Sequence, residues 1–445
     1  MSAAGTGAGT GAGAAKGAAE GERVYDLTIF GATGFTGKYI LDEVLKTAPK
    51  SFPGEQQPIR IAIAGRSRAK LERLVAALPT TGQETANCRK VDIIVADAQD
   101  ERSMRDMCRV SKVIIAAGEA VISACIQEHT SYIDISGESE FIETMMLKYH
   151  KDAKDAQVTI VHACGFDSIP ADMGLLYIKQ QMVKTYPGSL PVSVEIFCKL
   201  DGLHNLEGEG RMRQIQKTAN RPELPKFGPL LQVNPLPHWN TKVEAYTVPL
   251  FLVDPLVMEL SQQLILQDDD DNQHDLLLQS PVVQVAAYAC IPTFAILTKF
   301  LLALVTIGLF AQLRVGRELM LKYPGWFTWG VASHEGPSEE QMKGTFFVET
   351  FFARGYSKAL REACGDDGEE LCRVQPDVEL VTSVSGPEPG YVATPKLAVQ
   401  AAYTVLWERD RIPRGVLTPA VAFVRTTLIE RLIEQEIVFS SVVKK

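Results

Sequence analysis

The stretch LTIFGATGFTGKYILDEVL, residues 27–45, constrains this chain more than any other. An apolar run suited to a strand passes through a glycine-spaced turn into an amphipathic, helix-like run. Gly31 permits a tight turn, Gly34 lets backbone approach a pyrophosphate, and Gly37 brings helix and strand close together. Main-chain N–H groups at the helix start then face phosphate oxygens. The turn residues Gly31, Ala32, Thr33, Gly34, Phe35, Thr36 and Gly37 are therefore candidate cofactor contacts. The spacing is GxxGxxG rather than GxGxxG, and the competing reading is that the glycines serve packing alone.

Downstream, the alternation of strand and helix repeats. IRIAIAG, VDIIVAD, KVIIAA, YIDISG and VTIVHACG are apolar strand candidates separated by helical stretches, the signature of βαβ units around a parallel sheet. The expected fold class is α/β: a dinucleotide-binding Rossmann domain over 23–170, a second α+β domain over 171–385, and a C-terminal segment, 386–445, whose helices return to the first domain. Residues 1–22 are rich in Gly, Ala and Thr, with no large apolar residue after Met1, and read as a disordered tail. They carry neither the apolar core of a secretory signal nor an Arg-rich presequence, so secretion is not expected.

Cofactor flavour is set where the second strand ends. An acid there binds the ribose 2′-hydroxyl of NAD, whereas a base accommodates the 2′-phosphate of NADP. The sequence at that point is Ala64-Gly65-Arg66-Ser67-Arg68, without a carboxylate. Arg66 offers a planar fork for a 2′-phosphate, Ser67 a hydroxyl, and Arg68 or Lys70 further charge, so NADP(H) is preferred over NAD(H). The plainer reading is a solvated basic helix start.

Acid–base candidates are Asp134, Glu138, His162, Asp167 and Asp172. Asp134 and Glu138 lie at a strand end, where open α/β sheets face their ligand. Asp134 and Asp167 read first as residues that cap helices or bond loop amides, and His162, inside an apolar strand, as a core histidine. Cys164 has no base partner in the sequence and reads as packing. The eight cysteines form no CxxC pair and no metal-ligand spacing with the histidines. No catalytic base and no metal site is assigned.

Taken together, FGATGFTG, AGRSRAKLERL, YIDISGE, CGFDSIPADMG, GYVATPKLAVQAA and GVLTPAVAF resemble the saccharopine dehydrogenase-like oxidoreductases of animals, over most of the chain from Tyr25 onward. The resemblance implies a Rossmann domain with a second α/β domain, an NADP(H)-dependent oxidoreductase with an unidentified small-molecule substrate, and association with lipid droplets or the cytoplasmic face of membranes. It further implies a link to lipid or glycolipid metabolism. One departure is VIIAAGEAVISACI, which passes straight from Ala117 through Gly118 and Glu119 into a helix where the family carries a longer loop beside the nicotinamide. A second is LEGEGRMRQIQ, residues 206–216, in place of a Gly-Thr segment facing the cleft. The alternative function is thus a non-catalytic dinucleotide-binding or scaffold protein on lipid droplets that has lost the nicotinamide loop.

A run from Val282 to Ala311 is far more apolar than its surroundings, broken mainly by Gln284, Pro292 and Lys299. Pro292 is expected to break a helix begun by VVQVAAYAC. A helix over 291–311 would reach about 30 Å, enough for a bilayer, but Lys299 lies well inside it, at a cost of roughly 2.5–3.5 kcal/mol near the bilayer centre. Arg314, Arg317, Lys322, Trp326, Phe327 and Trp329 come next, as at a membrane interface. Three readings stay open: a helix buried in the second domain or a homodimer interface, monotopic attachment to a membrane or lipid droplet, and a true span. With 45 basic against 54 acidic residues, a net charge of -9 and no long basic block, nucleic acid is not an expected partner.

Overall fold

The structure is a computed structural model that describes residues 23–48, 59–78, 91–201, 223–250, 253–267, 281–327, 338–365, 371 and 373–442. The N-terminal tail, the departure at 206–216 and Trp329 lie outside the described residues, as do the four consecutive aspartates at 268–271, which the sequence marks as a solvated loop. The first domain alternates β1 (Tyr25–Phe30), α1 (Phe35–Thr47), β2 (Ile61–Gly65), α2 (Arg68–Ala76), β3 (Val91–Val95), α3 (Glu101–Arg109), β4 (Ser111–Ile115), α4 (Glu119–Gln127), β5 (Ser131–Ile133), α5 (Ser139–Asp155) and β6 (Thr159–Val161). α6 (Ile169–Thr185) then leads into the second domain, with β7 (Leu190–Asp201), β8 (His238–Asn240), β9 (Ala245–Pro249), α7 (Asp254–Gln267) and β10 (Gln284–Ile291). Next come α8 (Phe294–Ala311), α9 (Arg314–Lys322), α10 (Pro324–Phe327), α11 (Glu339–Gly344), β11 (Phe346–Tyr356), α12 (Lys358–Ala363) and β12 (Val378–Pro387). The chain closes with α13 (Thr394–Trp407), β13 (Gly415–Leu417), α14 (Pro419–Phe423), α15 (Leu428–Glu434) and β14 (Val438–Val442).

The first sheet has the order β13-β6-β5-β4-β1-β2-β3, and every pair in it is parallel. Strand order therefore reverses at β1 and β4, and the carboxyl ends of those strands open the crevice where doubly wound sheets bind ligands. The second sheet, β14-β12-β11-β7-β10-β9-β8, is mixed: β7 and β10 run parallel and the other neighbours antiparallel. α6 packs against β7, β11 and β12 and also against α7 and α14, so this helix is buried along most of its length. The C-terminal segment is shared between the domains: α13 lies on α1, β13 extends the first sheet and β14 the second.

Two expectations for the apolar run need correction. VVQVAAYAC does not begin a helix. Gln284–Ile291 is a strand paired on both sides, with β7 and β9, and its near-continuous apolar character is that of a strand within a sheet. Nor is the following helix buried in the second domain. Of the residues of α8 only Leu297 is buried, while Phe294, Ile296, Leu302, Val305 and Leu309 are exposed on several sides. Thr293 caps its start by accepting the Ile296 N–H, so Pro292 stands just outside the helix, where it breaks no helical hydrogen bond.

Candidate functional site

The glycine turn has the close packing its spacing suggests. Gly31 adopts φ +85°, donates its N–H to the Ala64 carbonyl at 2.8 Å and accepts from Gly34 N–H at 2.8 Å. A Cβ on Gly37 would stand 2.4 Å from the Gly31 oxygen and 2.9 Å from the Ala32 Cα, and one on Gly34 would stand 3.1 Å from the same oxygen. α1 starts at Phe35, earlier than the glycine pattern suggests, so Gly37 lies within its first turn. Gly34 occupies the N-cap without a side chain to satisfy the helix's first N–H groups. Ala32 is buried, Thr33 and Thr36 are half-buried, and Phe35 projects outward. Phe35 meets Tyr391 edge-on at 4.8 Å, and Tyr39 completes the aromatic cluster. Tyr391 is fixed by Glu388, whose carboxylate accepts the N–H groups of Gly390, Tyr391 and Val392. This wall of the turn comes from far downstream, and the glycine pattern alone does not reveal it.

At the end of β2, Arg66 is exposed and its side chain forms no ion pair with a described residue. Ser67 is the N-cap of α2, but its hydroxyl does not serve the cap. Arg68 lies 3.9 Å from Glu72 with both side chains largely exposed, a contact too weak to hold it. No carboxylate occupies residues 64–68, so the cluster can receive an anion.

Most of the acid–base candidates serve the scaffold. Asp134, fully buried after β5, accepts from Tyr132 at 2.9 Å, bonds His162 Nδ1 at 2.7 Å and accepts the N–H groups of Ser136 and Ala163. Burial opposes its ionisation, yet His162 and the two amides outweigh that and hold its pKa below the usual range. These bonds tie the ends of β5 and β6 and hold Ala163 at φ +58°. His162 is a core residue with one nitrogen satisfied, and its Nε2 has no hydrogen-bond partner among the described residues. Burial pushes the Cys164 thiol well up, which leaves it unreactive. Glu138 is exposed at the start of α5.

Asp172 and Asp167 differ from these. Asp172 is buried in α6 and accepts from the Ser261 hydroxyl and the Ala420 N–H, each at 2.8 Å. Burial pushes its pKa up to about 7 and that of Lys179, two turns along α6, down to about 8. Asp167 keeps solvent access, but the surrounding protein raises its pKa, and its Oδ2 would be 2.6 Å from a Cβ on Gly137 in the loop between β5 and α5. Two further acids escaped the sequence reading, Asp254 at the start of α7 and Glu349 in β11, both buried. Burial raises both, Glu349 to about 8. Neither stands in a recognisable motif. Among the described residues no group of His, Cys, Asp and Glu could hold a metal.

Between β4 and α4 the chain needs only Ala116, Ala117 and Gly118, the last at φ +119°.

Comparison with known proteins shows the family of the chain. The family model of the saccharopine dehydrogenase NADP binding domain matches residues 27–161. The human saccharopine dehydrogenase-like oxidoreductase is 33% identical over 440 residues, covering 94% of this chain and 97% of the relative. A probable mitochondrial saccharopine dehydrogenase-like oxidoreductase of Arabidopsis thaliana is 32% identical, with 95% and 97% covered. A Caenorhabditis elegans protein named lipid droplet localized protein is 29% identical, with 92% and 96% covered. The apo saccharopine dehydrogenase (L-Glu forming) of Saccharomyces cerevisiae shares the fold at TM-score 0.51 and 11% identity, covering 94% of this chain and all of that one.

Proposed function

Because this chain belongs to the saccharopine dehydrogenase-like oxidoreductases and carries an NADP-binding domain, we propose that it is an NADP(H)-dependent oxidoreductase acting on a small molecule at a lipid-droplet surface. The observation that carries the cofactor side is the turn itself: Gly31 at positive φ with Gly34 and Gly37 packed against it, open helix N–H groups, and an exposed Arg66 with no ion pair to a described residue at the next strand end. Gly31 to Gly37 would hold the pyrophosphate, and Arg66 with Ser67 and Arg68 the 2′-phosphate. When bound, the nicotinamide supplies hydride transfer. The chain's own part is orientation: the Asp134–His162 tie fixes the carboxyl ends of β5 and β6, beside which the reacting groups would lie.

The lipid side of the proposal is supported by α8, an 18-residue apolar helix exposed on several sides, and by the name of the nematode relative. Its length of about 27 Å is short of a comfortable crossing with Lys299 inside it. Shallow insertion into a monolayer suits it better. Arg314, Arg317 and Lys322, with Tyr323 and Trp326, come next on the exposed side of the structure.

The test is a fluorescence titration of the purified protein with NADPH, NADP and 2′-phospho-ADP-ribose, repeated on Arg66→Ala. The expected loss in the variant is about 1.5–3 kcal/mol, roughly 10- to 150-fold in Kd. An unchanged Kd would remove Arg66 from the site. Equal affinity for NADP and 2′-phospho-ADP-ribose would favour the non-catalytic alternative, because the nicotinamide would then contribute nothing.

A further inference from the structure

Along β11 the residues Phe347, Glu349, Phe351 and Ala353 alternate onto the buried face of the second sheet. Glu349 stands opposite Cys198 of β7 and Val384 of β12. The loop after β6 reaches this face: Phe166 packs edge-on against Phe347 at 4.8 Å, and the next residue is Asp167. α7, which opens with Asp254, packs on α6, the helix that covers the same face. Asp254 feels the charges of Glu349 and Asp167, and also of Asp172 on α6, so these carboxyl groups from separate elements converge between the domains.

A second observation is independent of that convergence. Among the described residues, five buried side-chain atoms lack a hydrogen-bond partner, and three of them belong to this region: Glu349 Oε2, Asp254 Oδ1 and Thr382 Oγ1. Thr382 lies on β12 directly opposite Phe351, one side-chain step from Glu349 along the same face. Glu349 and Asp254 are only 1% and 4% exposed, so bulk solvent does not supply the missing bonds. Native proteins rarely leave such groups unsatisfied, and a concentration of them in one place marks a position that something else completes.

We infer that Glu349 and Asp254, with Asp167 at its mouth, form a substrate subsite that takes an uncharged oxygen function, a hydroxyl or a carbonyl, on an otherwise apolar molecule. The inference rests on the dinucleotide reading of the first domain, since Asp167 stands at the same carboxyl edge of the sheet. Phe166, Phe347 and the Cys198 thiol furnish the apolar walls. Burial raises the pKa of Asp254 and Glu349, so at neutral pH these two present an O–H donor beside a carbonyl acceptor. A hydroxyl can both donate to and accept from such a pair, and a carbonyl oxygen can accept from both. An ammonium ion would instead demand ionised carboxylates in a desolvated place.

The experiment uses the full chain and three probes of one shape: cyclohexanol, cyclohexanone and cyclohexylammonium, with affinities read by saturation-transfer NMR at pH 7. The alcohol and the ketone are expected to bind the wild type and Glu349→Gln alike, and Glu349→Leu at least about tenfold more weakly, because glutamine keeps a donor and an acceptor and leucine keeps neither. Cyclohexylammonium should bind more weakly than either. Preference for the ammonium probe, no binding of any probe, or ketone binding unchanged in Glu349→Leu would each overturn the subsite. Should the leucine variant fail to fold, the wild-type ranking of the probes still decides. A parallel NADPH titration separates the two readings: intact NADPH binding without probe binding defeats the subsite alone, whereas wild-type protein that binds no NADPH defeats the dinucleotide reading.

Discussion

A methyl group added at Gly37 has nowhere to go. Its Cβ would lie 2.4 Å from the Gly31 carbonyl oxygen, 0.6 Å inside the 3.0 Å limit that real contacts essentially never cross, and every near atom is backbone. Relief requires prising α1 from the Gly31–Ala32 turn, and overpacking of this kind costs about 1–3 kcal/mol. Gly31→Ala meets no atom within 4 Å but is held at φ +85°, where a left-handed conformation costs roughly 1–2 kcal/mol. At Gly34 the internal contact is 3.1 Å, so a small adjustment suffices for the fold, while the methyl group occupies space that a pyrophosphate needs. The three alanine variants should therefore separate in paired measurements, the urea midpoint for the fold and NADPH fluorescence for the site. Gly37→Ala should lower both the midpoint and the affinity, with NADPH Kd raised on the order of 10- to 100-fold. Gly34→Ala should raise Kd comparably while leaving the midpoint close to wild type. If Gly37→Ala kept both its midpoint and its Kd, the close packing of helix against turn would be refuted, and with it the assignment of roles to the glycines.

Two other outcomes bear on separate parts of the molecule. Val305 and Leu309 are 59% and 62% exposed on α8, so Val305→Asp with Leu309→Asp leaves the core alone but adds roughly 2.5–3.5 kcal/mol per charge to any deep insertion. Cell fractionation should move the variant from the lipid-droplet fraction to the soluble one, and an unchanged distribution would discard lipid insertion by this helix. Glu349 supplies a pH signature. Its folded pKa, raised by burial to about 8, exceeds the ordinary glutamate value of 4.5, so the folded state holds the proton more tightly. The associated stability is complete below the lower value and is lost as pH rises through about 8, at up to about 1.4 kcal/mol per pH unit. Glu349→Gln removes that dependence, so the gap in urea stability between variant and wild type should shift in the variant's favour across this window. A gap that is flat with pH would mean that Glu349 titrates normally.

The features legible in the sequence share a physical property: each is decided by neighbours a few residues away. The glycine turn is a local hydrogen-bonding and packing unit, so its spacing carries its geometry. The same holds for Arg66 and Ser67, which come directly after the end of β2. Alternating strands and helices announce the first sheet because each βαβ crossover is contiguous in the chain.

The apolar run shows where this stops, since composition marked it but could not divide it. Val282–Ile291 is apolar because it runs into a strand between β7 and β9, and Phe294–Ala311 is apolar yet only its Leu297 is buried among the described residues. Only tertiary pairing separates the two. β13 contributes three residues to the first sheet from more than 250 positions beyond β6, too short to leave a period of its own. Tyr391 reaches Phe35 from the far end of the chain, and Asp254 and Glu349 become neighbours of the loop after β6 only when the second sheet closes on the first domain. An acid on a strand reads as a solvent-facing residue until the strand's other face is known, and β11 turns Glu349 inward between Phe347 and Phe351. The glycine turn and the end of β2 are thus legible from local spacing, whereas the buried acids Asp254 and Glu349 are brought together by contacts between distant segments.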